Sequence, residues 1–541
     1  MIFAENQIDC RTHIVGGGII GALESYYAYK EAQREGVTLS IVVYERGDSF
    51  NGTNTAYNIV PSLTIDEILS IVPRGSELVE KLSIPFDQPG GIRVDDVTGL
   101  HDSESAARFK EAVTQYGRDE NHNDRTLSLL LLGKKSMDLW QEMYDEADEE
   151  LKALLVASNF NPCREPKDGS KRVLHDGYRI DLLYGIPNAE ARARGMKADY
   201  AQMGYNACAL LTPDEVVAID PSLTDFCEQH SHLDDTLSRV WQNDTVALWR
   251  PGGCINTRIF LPKFYGYLKK IMGQYRDANN QMQDCFQIRF GKEVSEVEFD
   301  FSSGGVRIVG LKCSDGTSVR ENDANVVSRY IFCPGESVGT LERFGFNEPA
   351  FAAFAGTSLL VTIPLNSDQV LQYKDFSHCM EVHREGIVLA WQAQYRDEAI
   401  CIGVGGTKAF YGDKQPRKDE AFAKNRHLVQ LNMIKDVLPQ FLSIAHEGEV
   451  DCDTLSALEE KAILNLWVGR RAVAYDGFPT LGSLYCHNQR VSNARCTTHL
   501  GSGGVSFGPG AVLISRSSET NTDDPFVQKI LHYSDSRREA K

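Results

Sequence analysis

Short apolar runs alternate along this chain with longer segments in which apolar residues recur every three or four positions. The run His13-Ile14-Val15 leads into Gly16-Gly17-Gly18-Ile19-Ile20-Gly21, after which Ile19, Ala22, Leu23, Tyr26 and Tyr27 repeat at helical spacing until Gly36. Leu39-Ser40-Ile41-Val42-Val43-Tyr44 is then almost wholly apolar, as a strand buried on both faces of a parallel sheet is. Strand, glycine turn, helix and strand are thus predicted in that order. Between residues 124 and 158, Leu127, Leu130, Leu131, Met137, Leu139, Trp140, Met143, Leu151 and Leu154 stand among acidic residues and predict one or two amphipathic helices packed on the core. From Leu360 to Tyr411, β-branched and aromatic runs predict an antiparallel sheet. Beyond Ser515 the chain turns polar, which predicts a loose linker over 517–524, a short helix over 525–532 and a disordered end.

The glycines at 16, 18 and 21 form the pattern GxGxxG directly after a strand, and Glu45 ends the second strand 24 residues beyond Gly21. The chemistry of a dinucleotide site requires these residue types. Glycines let the backbone approach a pyrophosphate at the amino end of the helix, and a carboxylate accepts from the ribose hydroxyls. An acidic residue at 45 favours an adenosine ribose without a 2′-phosphate.

Composition narrows the function classes. At 541 residues the chain holds three to four domain equivalents, or fewer if segments interleave. A net charge of −19 repels phosphate backbones and anionic lipid and sets nucleic acid aside as a partner. The 13 cysteines, an odd number with no CxxC pair, argue against a disulfide framework or a zinc site and for free thiols in a reducing compartment. No run approaches the roughly 20 apolar residues of a membrane-spanning helix, and the first residues carry no basic leader. The expected location is the cytoplasm.

Several segments resemble the D-amino-acid oxidase and dehydrogenase superfamily of FAD proteins. Asn51-Gly52-Thr53-Asn54-Thr55-Ala56 is similar to the small-residue loop that follows the acidic residue in that family. Gly469-Arg470-Arg471-Ala472-Val473-Ala474-Tyr475-Asp476-Gly477-Phe478-Pro479 is similar to its pattern GxRPxTxDGxP, and His499 to Gly510 resembles its last glycine-rich turn into a helix. Further matches follow in order at Leu211–Leu223, Trp249–Leu261, Val294, Ile331–Gly335 and Phe354–Val361; the likeness weakens between Pro73 and Arg172. The chain departs from the pattern at Ala472, at Ala474 and at Leu500, with His499 one place early.

The resemblance implies an α/β fold in which an FAD-binding Rossmann-type domain (1–75, 255–345 and 461–516) interleaves with a substrate or cap domain of mixed and antiparallel sheet (76–254 and 346–460). Residues 517–541 form a polar tail. It implies FAD contacts from Gly16, Gly17, Gly18, Ile19, Ile20, Gly21, Glu45, Arg46, Thr53, Asn54, Val294, Gly335, Gly501, Ser502, Gly503, Gly504 and Val505. The FAD is expected to be noncovalent, because Gly469 stands where one group has cysteine and no histidine stands near Ala56. Arg471 corresponds to the arginine that binds a substrate carboxylate, a role suited to a charged bidentate fork. His499 is a candidate for contact with flavin or substrate and equally for a satisfied structural histidine, and Tyr475, a further candidate at the reacting centre, joins His383 and Tyr395 as weaker candidates for lining the pocket. No metal site is implied.

The expected activity is oxidation of the C–N bond of an amino acid or small carboxylate-bearing amine by hydride transfer to flavin N5, with oxygen, a quinone or an electron-transfer protein as acceptor. Two enzyme readings compete with it: a 2-hydroxy-acid:quinone dehydrogenase, and a flavoenzyme that modifies a partner protein. An FAD-binding scaffold without turnover is the non-enzyme alternative.

Overall fold

The computed structural model describes residues 8–53, 55–60, 62–65, 103–118, 122–161, 172–174, 177–277, 281–302, 305–320, 325–335, 340–384, 387–412, 420–442, 450–461, 463–501, 503–520 and 522–538. Its first sheet has six strands in the order Phe286–Arg289, Leu39–Tyr44, Cys10–Val15, Val327–Phe332, Gln489–Thr498 and Thr480–Cys486. All neighbours are parallel except the last pair. Strand Leu39–Tyr44, apolar but for Ser40, is buried at every position because both faces are covered. Helices Ile19–Glu35, Thr257–Met272 and Gly508–Ser517 share one core with one face, and an antiparallel meander, Val294–Asp300, Arg307–Cys313 and Ser318–Arg320, covers the other. Gly36 ends the first helix in the left-handed region at φ 71°, where a Cβ would be strained.

The second sheet has eight strands: Leu464–Ala474, Phe351–Pro364, Ala399–Gly412, Ile387–Arg396, Ser377–Arg384, Tyr178–Leu183, Val246–Pro251 and Ala209–Leu211. The four strands from 351 to 412 pair antiparallel, as their runs of β-branched and aromatic residues predict. Register places Trp467, Gly469 and Arg471 on the same face as Gly356, Gly403 and Gly405. Val60 packs against that face, so close to Gly403 that a Cβ there would come within 2.9 Å of it. The face is therefore turned toward the segment that follows Glu45. On the opposite face, Trp391, Ile402 and Val404 share a core with Leu431 and Ile434 of helix Glu420–Val437.

Residues 124–158 form helices His122–Asp145 and Glu149–Ala157, the second capped by Asp148, whose side chain accepts from Leu151 N at 2.8 Å. Trp140 and Leu132 of the longer helix are fully buried. The helix predicted over 525–532 forms as Pro525–Ser534, whereas residues 535–538 are docked rather than disordered as their polarity predicts. Asp524 caps helix Pro525–Ser534, Val527 and Ile530 are buried, and Lys529 and Tyr533 both engage Asp124. Arg538 pairs with Asp476 at 2.7 Å. Polar residues here are ion-paired, and at Arg538 and Asp476 largely withdrawn from water, which composition alone does not distinguish. No helix among the described residues is long and apolar enough to cross a membrane.

Candidate functional site

The glycine turn is held by contacts that leave no room for side chains. Gly16, at φ 113°, donates to Tyr44 O at 2.9 Å, and a Cβ on it would lie 2.1 Å from Cys333 O. A Cβ on Gly21 would lie 2.1 Å from Gly16 O. The end of strand Val327–Phe332 is thereby brought against the turn, with Gly335 two residues beyond Cys333 at φ 60°. Gly18 precedes helix Ile19–Glu35 without a side-chain cap and with no acidic residue in the first turn, so the amide end of a 17-residue helix stays open to an anion. Ile19 and Ile20 begin that helix and are buried.

Glu45 is buried, at 6% exposure, and closes the turn from the far side. Its Oε2 accepts from Gly17 N at 3.0 Å and its Oε1 from Gly47 N at 2.9 Å. Lys292 N donates to Glu45 O at 2.8 Å and Gly291 N to Gly47 O at 2.9 Å, which sets Val294, buried at the start of the meander, beside the acidic strand end. Arg46 is half-buried, Thr53 ends the short helix Phe50–Thr53, and Asn54 lies outside the described residues.

The last glycine turn lies against the strand that carries Arg471. Gly501, at φ 57°, donates to Ala472 O at 3.1 Å, and Leu500 bridges to Val473. Gly503 N donates to Leu500 O at 2.8 Å, and Gly504 leads to Val505, buried at 1%. Ser502 lies outside the described residues. Helix Gly508–Ser517 follows without a side-chain cap or an acid in its first turn. The long inserted helix braces this turn: Trp140 Nε1 donates to Val505 O at 3.0 Å, and Ser136 Oγ donates to Phe507 O and accepts from Gly510 N, each at 2.9 Å.

Arg471 lies across Gly356, where a Cβ would come 2.6 Å from its Nη2. Trp467 covers Gly469 in the same way. Tyr475, 7% exposed, meets Phe109 of helix Ser103–Arg118 edge-on with ring centroids 5.3 Å apart, and Phe109 also packs on Phe354 and Phe410. Arg471 faces Phe354 across the strand pair, so guanidinium and aromatic cluster share one face. His499 is buried and left-handed at φ 58°, its Nδ1 bonded to Thr480 Oγ1 at 2.8 Å and its Nε2 to Glu348 Oε1 at 3.1 Å. Both ring nitrogens are thus engaged.

The role of Phe109, Trp467 and Trp140 around these elements is not visible in the sequence pattern. Gly356 and Gly469, each inside a β-rich run and opposite each other in register, are the available signal, since a glycine within a strand marks a close approach.

Further along the same face lies a dry cluster: Arg179, Asp181, Arg250, Glu381 and His383. Arg179 pairs with Asp181 at 3.0 Å and Glu381 at 2.7 Å, and Arg250 with Glu381 at 2.5 Å, with Asp181 and with Tyr200 Oη. Burial works against both carboxylates, but Arg179 and Arg250 outweigh it and hold them below the usual carboxylate range. Burial likewise works against protonating His383, yet Asp181 and Glu381, 3.6 and 3.5 Å away, raise its pKa. Asp181, Glu381 and His383 are close enough to share a cation. The two guanidiniums already neutralise both carboxylates, so a divalent ion would add uncompensated charge to a dry site. Tyr395 stands apart in strand Ile387–Arg396, half-buried.

The sequence matches no protein-family model and no curated protein. The fold matches solved structures over nearly its whole length. A fructosyl peptide oxidase from E. terrenum aligns with 99% of this chain and 93% of its own at 13% identity and a TM-score of 0.54. An L-amino acid deaminase from Proteus vulgaris, with its specific insertion deleted, covers 97% and 94% at 12% identity and a TM-score of 0.51. Amadoriase I from Aspergillus fumigatus, a fructosyl amine:oxygen oxidoreductase, covers 99% and 91% at 10% identity and a TM-score of 0.51. With a GxGxxG turn closed by Glu45 and an eight-stranded sheet turned toward it, the chain shares the fold of these oxidases and this deaminase.

Proposed function

We propose that the chain is an FAD-dependent oxidoreductase that oxidises the C–N bond of an amino acid or another small carboxylate-bearing amine. The observation that carries this reading is the placement of Arg471, a guanidinium laid across Gly356 on the sheet face turned toward the segment after Glu45, in a strand tied to the last glycine turn. By their names, the similar structures act on a fructosyl peptide, an L-amino acid and a fructosyl amine.

The residues fit FAD. The side-chain-free turn at Gly16–Gly18 and the open helix end would receive the diphosphate, and Glu45 the ribose hydroxyls. The turn at 501–505 and the uncapped helix Gly508–Ser517 would face the pyrimidine side of the ring, where a helix dipole favours negative charge. Bound noncovalently, FAD would supply the hydride acceptor. Arg471 would grip the substrate carboxylate through a bidentate fork and so orient the C–H bond. Tyr475, with Phe109, Phe354 and Phe410, would wall the site with apolar surface and exclude water. His499, with both nitrogens engaged, would hold the turn in place. The division into a discontinuous FAD domain and a substrate domain belongs to this proposal.

The test is an absorbance spectrum of the purified protein, followed by anaerobic addition of D- and L-amino acids, N-methyl amino acids and 2-hydroxy acids. Bleaching of a flavin band by an amine substrate supports the reading, and bleaching by a hydroxy acid replaces the substrate class. A band that no compound bleaches leaves a protein substrate or a scaffold. No band, even after FAD is added, ends the cofactor assignment.

A further inference from the structure

We infer that Arg538, near the carboxy end, is a positioning residue for the last glycine turn and acts by orienting the Thr480 hydroxyl that holds His499. All five N–H donors of its guanidinium are used. Nε donates to Asp476 Oδ2 at 2.7 Å, and Nη2 to Asp476 Oδ1 at 3.4 Å and Phe478 O at 2.5 Å; Nη1 donates to Asp535 O at 3.0 Å and Thr480 Oγ1 at 3.3 Å. Side-chain exposure at the Arg538–Asp476 pair is 12% and 11%, so water competes little.

Two contacts meet at His499. Glu348 only accepts, so His499 Nε2 donates to its Oε1 at 3.1 Å. Thr480 Oγ1 accepts from Arg538 through one lone pair and bonds His499 Nδ1 at 2.8 Å, so the guanidinium orients the hydroxyl that meets the ring. Both bonds, together with stacking on Phe351, hold His499 in the left-handed conformation that a residue with a Cβ rarely adopts. The chain leaves that residue into Leu500 and Gly501, which pair with Val473 and Ala472 beside Arg471. One relay thus runs from the carboxy-terminal segment to the strand of the proposed substrate arginine.

Arg538 reaches this position because the helix before it is docked. Tyr533 Oη donates to Asp124 at 2.7 Å, its ring packs on Phe478 at 5.1 Å, and Arg537 lies 3.8 Å over the ring of Tyr485. Only the consequence for FAD rests on the proposed function. The relay itself is geometry.

The experiment is hydrogen exchange by mass spectrometry on the full chain, comparing peptides over 499–507 and 522–538 in Arg538→Ala, Thr480→Val and Thr480→Ser. Loss of a charge-assisted bond opens the turn, so exchange over 499–507 is expected to rise about tenfold in Arg538→Ala and Thr480→Val. Thr480→Ser, which keeps the hydroxyl, is expected to restore the wild-type rate. A packing role alone would not separate valine from serine in this way. Faster exchange confined to 522–538, or a serine variant that behaves like valine, overturns the inference. If Arg538→Ala does not fold, the Thr480 pair decides. Because exchange is read without cofactor, failure of the wild-type protein to bind FAD would sink the functional reading and leave this result standing.

Discussion

The amide of Gly501 donates to the carbonyl of Ala472 at 3.1 Å, and this bond places the last glycine turn one residue from Arg471. The guanidinium of Arg471 occupies the space that a side chain on Gly356 would take, since a Cβ there would come 2.6 Å from Nη2. Gly356→Ala is therefore a substitution that displaces a side-chain tip without disturbing backbone. Its unfolding temperature is expected to stay close to wild type while KM for a carboxylate substrate rises about tenfold. Arg471→Ala is expected to cost about a hundredfold or more in kcat/KM, since the bidentate bond is lost outright. Steady-state kinetics on the compound that bleaches the flavin checks both, and an unchanged KM in Gly356→Ala would remove Arg471 from the carboxylate.

Glu45 joins the two halves of the dinucleotide turn through Gly17 and Gly47. In Glu45→Gln one of those amides faces an NH2 group instead of an acceptor, and affinity for FAD is expected to fall about tenfold. Gly21→Ala is harsher, because the new Cβ would meet the backbone oxygen of Gly16 at 2.1 Å and neither atom can yield without moving the turn. The expected product is a destabilised protein that retains no flavin. Flavin fluorescence on titration with FAD measures the first variant, and the flavin-to-protein absorbance ratio after purification measures the second.

The amino-terminal turn is legible in the sequence because every requirement there is local: a strand, glycines at fixed spacing, a helix stop and a carboxylate at the next strand end. The antiparallel sheet is legible for the same reason, since alternation and β-branching act over a few residues. The tail is not. Arg538 and Asp476 are 62 positions apart, and a polar run reads alike whether its charges meet water or one another. The aromatic wall is equally hidden, because Phe109 meets Tyr475 only after the sheet has formed. His499 shows the limit most clearly: proximity to the glycine turn marks it as a candidate at the reacting centre, whereas its bonds to Thr480 and Glu348 come from distant segments.

Removing one member of the cluster around Glu381 leaves a buried charge without its partner. Arg250→Met is expected to lower stability by about 3–5 kcal/mol, read from urea unfolding. The cluster also sets a pH window, because Arg179, Arg250 and Cys379 of the sheet and Tyr200 of helix Ala189–Gln202 surround Asp181, Glu381 and His383. The carboxylates are held low, so their contribution is present above their unfolded pKa values and is lost as pH falls through the folded ones. His383 is held high, so its contribution is present below pH 6.5 and is lost as pH rises through its folded pKa. His383→Gln is expected to flatten the alkaline limb of stability.

His13 has the opposite sign. It is buried between Tyr44, whose hydroxyl lies 3.0 Å from its Nδ1, and the ring of Tyr330, 5.0 Å away, with Arg11 and Arg289 nearby. Burial first, then the two arginines, push its pKa down to about 3 from 6.5. Below pH 6.5 the unfolded chain takes up a proton that the folded chain refuses, so stability falls with pH by about 1.4 kcal/mol per unit until the folded group titrates. His427, pushed down to about 4 mainly by burial, adds a second proton to the same limb. His230, its pKa lowered by burial, acts on the same limb, and His13→Phe keeps the stacking surface and removes one of these protons. Losing the bond to Tyr44 shifts the whole curve, because burial holds that phenol up near 12 and it does not titrate in this range. Urea unfolding between pH 4.5 and 6.5, a window chosen to lie above both folded values, should therefore give a slope smaller by about one proton in His13→Phe. An unchanged slope would mean that His13 is protonated in the folded chain.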